Sequence, residues 1–264
     1  MTSIATFKLT FLTKNPLILP QFSGTIALSV FLEVLSRADP ELARELHEYR
    51  GRKPYAVSPF NWRDKFYGFR LVPSGEEVWF RAAVTGDVTR KFLSGLIDSL
   101  PTDFRLGNTE LELQDVQVDV KSMEEISGFK AEAVRVDFLT PVRFSVAGTK
   151  KRRTPKFRLF PTPEHVFHSL ADHWNEHAPR GLKVPHRFPE WVINYAVEVD
   201  YRLKPITLEG TGNRVFRGSV GYVIYRFNDL SMSAWATRLL EYGQLVNVGT
   251  GRSTGLGVMK YREA

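Results

Sequence analysis

The chain has no cysteine in 264 residues. That absence excludes a disulfide framework, a thiolate nucleophile, an iron-sulfur cluster and any cysteine-based zinc site, and it suits a reducing compartment. Long hydrophobic runs are missing too. No stretch of 18 or more apolar residues occurs, and the opening MTSIATFKLTF lacks the basic start and apolar run of a secretory signal. The expectation is a cytoplasmic protein without a membrane partner. Acidic residues are the minority charge, 29 against 36 Lys and Arg, for a formal net charge of +7. Such an excess points to a polyanionic partner. What remains is ordinary for a globular protein, with 43% hydrophobic and 25% charged residues in a length that suits roughly one or two domains.

The positive charge is unevenly placed. Between Asp137 and Glu164 no acidic residue occurs, and the window holds Arg143, Lys150, Lys151, Arg152, Arg153, Lys156 and Arg158. Gly148, Thr149 and Pro155 mark a loop that presents the KKRR run. A second basic window contains Arg50, Arg52, Lys53, Arg63, Lys65 and Arg70, broken only by Asp64. Aromatic residues are interleaved with both windows, among them Tyr55, Trp62, Phe66, Phe144, Phe157 and Phe160. Rings stack on bases while cations track phosphates, so this pattern favours nucleic acid. A basic loop that serves only solubility is the competing reading.

Hydrophobic periodicity gives an order of elements. Ala5 to Leu12 alternates as a strand, and Gly24 to Arg37 reads as a helix. A short helix starts at Asp39-Pro40 and reaches about Tyr49, with Leu42, Leu46 and Tyr49 as its buried stripe. Extended segments follow, then a helix capped by Asp87 and a strand from Leu111 to Val120. The second half repeats the rhythm, with a strand at Ala131 to Leu139 and a helix at Pro163 to His177. A hairpin of Val192 to Thr207 with Val215 to Phe227 follows, then a helix at Ser231 to Tyr242 and a closing strand at Val258 to Tyr261. Each half fits the split β-α-β unit. The expected fold is α+β, two tandem ferredoxin-like (RRM-like) domains, 1–127 and 128–264, with antiparallel sheets and helices on one face.

The tail carries Gly249, Gly251, Gly255 and Gly257 around Arg252. It fails the dinucleotide fingerprint, because Thr254 stands where the third glycine belongs, and it fails the P-loop, because no Gly-Lys-Ser/Thr follows. Two readings remain, a tight packing loop or a phosphate cradle of backbone N–H groups with Arg252. His165, His168, His173 and His177 lie on one helix at i, i+3 and i, i+4 spacings that could clasp zinc. Placed against the face made by Val166, Phe167, Leu170, Ala171 and Trp174, however, they fall on opposite flanks. We therefore expect surface residues, with no metal and no cofactor.

A G-x-G, spacer, G-x-G loop closing a basic chain of two ferredoxin-like units resembles the RAMP superfamily of CRISPR-associated RNA-binding proteins. More narrowly, the chain is similar to its sixth family, the endoribonucleases that cut precursor CRISPR RNA within its repeats. Leu46-His47 followed by Lys53 to Pro59 resembles that family's catalytic histidine and the strand after it. Thr140 to Phe144, Phe160 to Pro163, Phe167 to Leu170 and Phe216 to Gly221 resemble its later segments.

The resemblance implies an endoribonuclease in which the substrate's 2′-hydroxyl attacks the adjacent phosphate without a metal ion, leaving a 2′,3′-cyclic phosphate and a 5′-hydroxyl. It implies His47 as general acid or base and Lys53 as stabiliser of the transition state. Arg44, Arg50, Arg52 and Lys53 around His47 favour its neutral form. Ser29, Ser36, Arg37, Tyr49 and Arg52 are open as a third catalytic group. RNA contacts are assigned to Lys150, Lys151, Arg152, Arg153, Gly249, Gly251, Arg252, Gly255 and Gly257. The implied partner is CRISPR repeat RNA, as precursor and as retained product, with effector-complex subunits, monomer and homodimer all left open. The alternative is a non-cleaving RNA-binding subunit of an effector complex.

Overall fold

Ala5, Phe7, Leu9 and Phe11 alternate with Thr6, Lys8 and Thr10, and the chain answers with an eleven-residue strand, β1 (Ser3–Thr13), whose odd positions from Ala5 onward are buried. The fold is that of a computed structural model that describes residues 2–49, 51–86, 88–91, 93, 103–106, 109–146 and 156–264, with the backbone alone for Ala38 and His47. After β1 and the short β2 (Leu17–Leu19) comes α1 (Gly24–Ala38), then α2 (Pro40–Glu48). Ala27, Val30, Phe31, Val34 and Leu35 recur at helical spacing and give α1 its buried face. The remaining strands of this half are β3 (Tyr55–Val57), β4 (Arg70–Val72), β5 (Glu77–Gly86), β6 (Asp103–Leu106) and β7 (Thr109–Ser122), with residues 88–91 helical. The sheet order is β3-β5-β1-β7-β6, and its described pairings are antiparallel. Without the added edge strand β6 this is the ferredoxin-like order, first strand central and flanked by third and fourth. Phe11 anchors the core against Phe60, Phe80 and Phe104 at ring separations of 6.0, 5.9 and 5.4 Å.

The second half builds the same order from different residues. Its strands are β8 (Ala133–Val142), β9 (Phe144–Ser145), β10 (Phe157–Arg158), β11 (Ala196–Glu209), β12 (Val215–Phe227) and β13 (Met259–Glu263). Its helices are α3 (Pro163–His177), α4 (Phe188–Tyr195) and α5 (Ser233–Val246). The main sheet runs β11-β12-β8-β13. Val134, Val136 and Phe138 of β8 and Val223 and Tyr225 of β12 are buried on one face. Phe167 of α3 packs there 5.9 Å from the Tyr225 ring. Two tandem ferredoxin-like folds with antiparallel sheets are therefore present. The expected hairpin needs one correction: Val192 lies in α4, and β11 begins at Ala196. Phe188, Trp191 and Val192 are buried at i, i+3 and i+4, a helical spacing within an apolar run that also reads as a strand.

By contacts, one compact unit comprises Met1–Met123, Leu208–Phe216 and Ser253–Gly255, and the other Glu124–Thr207, Arg217–Arg252 and Leu256–Ala264. The tip of the β11-β12 hairpin and three residues of the glycine-rich tail thus belong to the first unit. Phe216 meets Phe22 at 4.6 Å, and Phe22 N donates to Glu209 O at 3.0 Å. Among the described residues no helix is long and apolar enough to cross a membrane.

Candidate active site and nucleic-acid interface

The helix that carries His47 is held at both ends. At its start the Asp39 carboxylate accepts from Leu42 N at 2.9 Å, and Pro40 occupies the first turn, where a missing N–H costs nothing. Leu42 and Leu46 are buried one turn apart. Tyr49 does not complete that stripe: α2 ends at Glu48, and Tyr49, at the cap with φ −55° and ψ 120°, is 38% exposed. At the end of α2 the last carbonyls have no partner within the helix and carry the negative pole of its dipole. The Lys53 ammonium donates to one of them, Leu46 O, at 2.7 Å. Partial burial lowers the Lys53 pKa below the usual lysine value. Just beyond, Pro54 O accepts from Thr85 N at 2.8 Å and Tyr55 pairs with Val84. Lys53 therefore bridges the end of α2 and the edge of the sheet, and the carbonyl it holds belongs to the residue before His47.

Of the groups left open as a third member, two are engaged on α1. The Ser29 hydroxyl donates to Thr25 O at 3.0 Å, and the Arg37 guanidinium pairs with the Glu33 carboxylate.

The glycine-rich tail is built tightly. Gly249, Gly251, Gly255 and Gly257 all have positive φ, from 71° to 94°. A Cβ on Gly257 would stand 1.8 Å from Val248 O and one on Gly249 2.5 Å from Arg143 O, so packing as well as torsion requires glycine. Gly249 N donates to Ser169 Oγ at 3.0 Å, Thr250 N to Arg143 O at 2.8 Å, Leu256 N to Gly251 O at 3.1 Å and Gly257 N to Pro141 O at 3.0 Å. Arg252, read from sequence as a phosphate ligand, is only 9% exposed. Its Nη2 donates to Ser169 O at 2.9 Å and Ser169 Oγ at 2.7 Å, and its Nε to Gly249 O at 3.3 Å. The guanidinium braces the loop against α3. Sequence reasoning missed two members of this construction. Ser169 lies 83 residues before its partner in the chain. Asn247 has φ 62°, and its Nδ2 donates to Arg252 O at 3.2 Å. The only local signal was an asparagine beside the glycines, a residue type that tolerates the left-handed region. Within the first unit, Gly24 opens α1 so close to Thr254 O that a Cβ would stand 2.0 Å away, and Gly255 lies against Pro59.

The histidine-rich helix α3 also departs from expectation. His173 is 1% exposed, and its Nδ1 lies 2.6 Å from Tyr242 Oη of α5, so it is a buried residue rather than a surface one. Its ring is 4.7 Å from that of His177. His165 stacks on Phe144 at 5.3 Å, with Nδ1 2.9 Å from Thr162 Oγ1. Desolvation chiefly, with Arg158 and His168 adding to it, lowers the His165 pKa. Lys150, Lys151, Arg152 and Arg153 lie outside the described residues. On either side of them β9 pairs with β10, and Val146 N donates to Lys156 O at 3.0 Å. Arg143, in the same basic window, lays its guanidinium 4.1 Å from the Phe157 ring centroid.

Known proteins resemble this arrangement. Residues 136–259 match the family described as CRISPR-associated endoribonuclease Cas6. The fold is similar to that of a Cas6 (TTHB231) product complex, a Thermus thermophilus protein, with a TM-score of 0.79, 23% identity and coverage of 98% of this chain and 100% of that one. A Cas6 (TTHA0078) product complex aligns with a TM-score of 0.75 at 19% identity, over 99% of this chain and 100% of that one. A RAMP protein binding different RNA substrates aligns with a TM-score of 0.61 at 16% identity, over 98% and 100%. No curated protein matches in sequence.

Proposed function

We propose, on the premise that this is a chain of the Cas6 family, that it binds CRISPR repeat RNA and cuts precursor CRISPR RNA within the repeat by attack of the substrate's own 2′-hydroxyl, with no metal ion. The observation that carries this reading is the Lys53 ammonium at 2.7 Å from Leu46 O, which fixes a cation at the end of the helix that bears His47. In the proposed step the 2′-oxygen bonds to phosphorus as its proton leaves, and the bond to the 5′-oxygen breaks as that oxygen takes a proton. The products are a 2′,3′-cyclic phosphate and a 5′-hydroxyl. His47 moves the proton, a task typically worth about 10² to 10⁴ in rate. Lys53 opposes the charge that builds on the phosphorane. Lys150, Lys151, Arg152 and Arg153 supply phosphate contacts, so substituting Arg152 and Arg153 by alanine reduces the slope of log affinity against log salt by about 2.

The test uses labelled repeat RNA incubated with the intact protein in chelator, followed by analysis of the product ends. Cleavage is expected to persist in chelator, to leave a cyclic phosphate, and to vanish both in His47→Ala and when the scissile nucleotide lacks its 2′-hydroxyl. Binding without cleavage by the unsubstituted protein would overturn the reading in favour of a non-cleaving RNA-binding subunit, and cleavage only with added metal would overturn the mechanism.

A further inference from the structure

Strands β2 and β4 form a two-stranded sheet of their own, with Leu17 opposite Val72, Ile18 opposite Leu71 and Leu19 opposite Arg70. The pairing continues in the same register past both, where Gly68 N donates to Gln21 O at 2.8 Å and Phe22 stands opposite Tyr67. Successive residues of this ribbon point to opposite faces, and Leu17, Leu19, Arg70 and Val72 make the buried one. The other face has two halves. At one end Phe22 is covered by Phe216 of the β11-β12 hairpin tip, at a ring separation of 4.6 Å. Beyond it the face lies open: Phe69 is 68% exposed, Ile18 60% and Leu71 59%, and Tyr67 is exposed as well.

An open apolar stripe on a well-packed unit needs an occupant. This one is held rigid from behind. The buried Arg70 guanidinium donates to Gly68 O at 3.1 Å, Phe60 O at 3.2 Å, Phe66 O at 3.5 Å and to Lys65 O, so one side chain ties down the segment that carries Tyr67 and Phe69. Rings fixed in this way bind a flat partner at little ordering cost. The charge around the stripe selects that partner. Residues 15–25 and 65–75, which build the ribbon and its flanks, contain no acid. Lys65 stands two residues before Tyr67, and Arg214 lies in the hairpin tip that covers Phe22, where its O accepts from Gly210 N at 2.8 Å. Both are exposed, and neither has an ion-pair partner among the described residues, whereas Arg63 is spent on Glu76 at 3.0 Å. Two unpaired cations beside two open rings are complementary to a polyanion that carries flat bases.

We infer that the outer face of this ribbon is a stacking shelf for unpaired nucleotides of the bound RNA, with bases laid on Phe69 and Tyr67 and phosphates led past Lys65 and Arg214. The inference rests on the RNA-binding part of the proposed function and not on the cleavage step, since neither ring takes part in that chemistry.

The experiment measures binding of a labelled, unstructured oligouridylate of about 12 nucleotides to the full-length protein by fluorescence anisotropy across a salt series. Phe69→Ala is expected to weaken binding on the order of 5- to 100-fold without changing the salt slope, because it removes a ring and no charge, and Phe69→Trp is expected to bind at least as tightly. Lys65→Ala with Arg214→Ala is expected to reduce the slope by about 2. Ultraviolet cross-linking of the same oligonucleotide to the unsubstituted protein is expected to place uridine on the peptide that contains Tyr67 and Phe69. Circular dichroism checks that each variant is folded. Unchanged affinity in Phe69→Ala, adducts confined to other segments, or no binding of the oligouridylate up to about 100 μM would each overturn the shelf and leave the stripe to a protein partner. Cleavage of repeat RNA by the unsubstituted protein would persist in any of those cases. Conversely, adducts on Tyr67 or Phe69 in a protein that never cuts repeat RNA would support the shelf and sink the nuclease reading alone.

Discussion

Lys53 and Arg252 hold comparable places in the sequence. Each is a cation in a basic or glycine-rich loop next to a helix end, and each is a natural candidate for a phosphate. The protein uses them differently. Lys53 is half-buried and donates to a helix-terminal carbonyl, Leu46 O. Arg252 is 9% exposed and directs Nε and Nη2 to Gly249 O and to both oxygens of Ser169. A basic residue in a glycine-rich loop can thus be committed to the loop itself, as Nε and Nη2 of Arg252 are. Here the glycines let the chain fold back closely enough on Val248 and Arg143 to bury the guanidinium.

The largest effect that could break this contrast lies at Lys53. Lys53→Ala is expected to lower the rate of repeat cleavage by about 10² to 10³, the usual loss on removing one contact to a developing negative charge, with little change in repeat affinity. Single-turnover cleavage and filter binding measure the two quantities. Unchanged cleavage would reduce Lys53 to a helix cap and leave the two cations alike.

The converse experiment acts on stability. Arg252→Ala removes a buried guanidinium together with its bonds to the Ser169 hydroxyl, Ser169 O and Gly249 O, and a loss of about 2 to 4 kcal/mol is expected in denaturant titration. Gly257→Ala, which must place a Cβ 1.8 Å from Val248 O at φ 71°, is expected to cost roughly 3 kcal/mol or more. At a temperature where both variants stay folded, the salt dependence of RNA affinity should match that of the unsubstituted protein. A shallower slope in Arg252→Ala would return Arg252 to the phosphates.

A smaller effect sharpens the Lys53 half. Burial lowers its pKa, so as pH rises the ammonium is lost below the range where an exposed lysine titrates. If that charge assists cleavage, kcat/KM, which reports the free enzyme, declines on the alkaline side before pH reaches the ordinary lysine value. Lys53→Arg keeps its charge throughout and removes that decline. A decline of the same position in both proteins would assign it to another group.

Some of this was legible in the amino-acid sequence. Asp39-Pro40 gave the start of α2, Thr162-Pro163 opens α3 at the expected residue, and the repeated strand-helix rhythm gave both sheets. Local signals sufficed because caps and periodicity act over a few residues. Misreadings arose where a distant segment decides. Tyr49 continues the apolar spacing of α2, but the chain turns there toward Lys53 and the sheet. Viewed on its own helix, His173 lies to the side of the Val166, Leu170 and Trp174 face; the Tyr242 ring of α5, 69 residues later, covers it. The hydrogen bonds from Arg252 to Ser169 were invisible too, because Ser169 is remote in sequence and unremarkable in composition.

Ser169 provides the finest test of the brace. Its hydroxyl accepts from Gly249 N at 3.0 Å and from Arg252 Nη2 at 2.7 Å, so one oxygen joins the loop backbone to the guanidinium. Ser169→Ala removes that junction yet leaves Ser169 O to accept from Arg252, and the expected cost is about 1 to 2 kcal/mol, less than for Arg252→Ala. The two substitutions share a contact, so their combined effect should fall short of the sum of the separate ones, which a double-mutant cycle by denaturant titration measures directly. Strict additivity would mean that Arg252 and Ser169 stabilise the loop independently, and the brace would then rest on the burial of Arg252 alone.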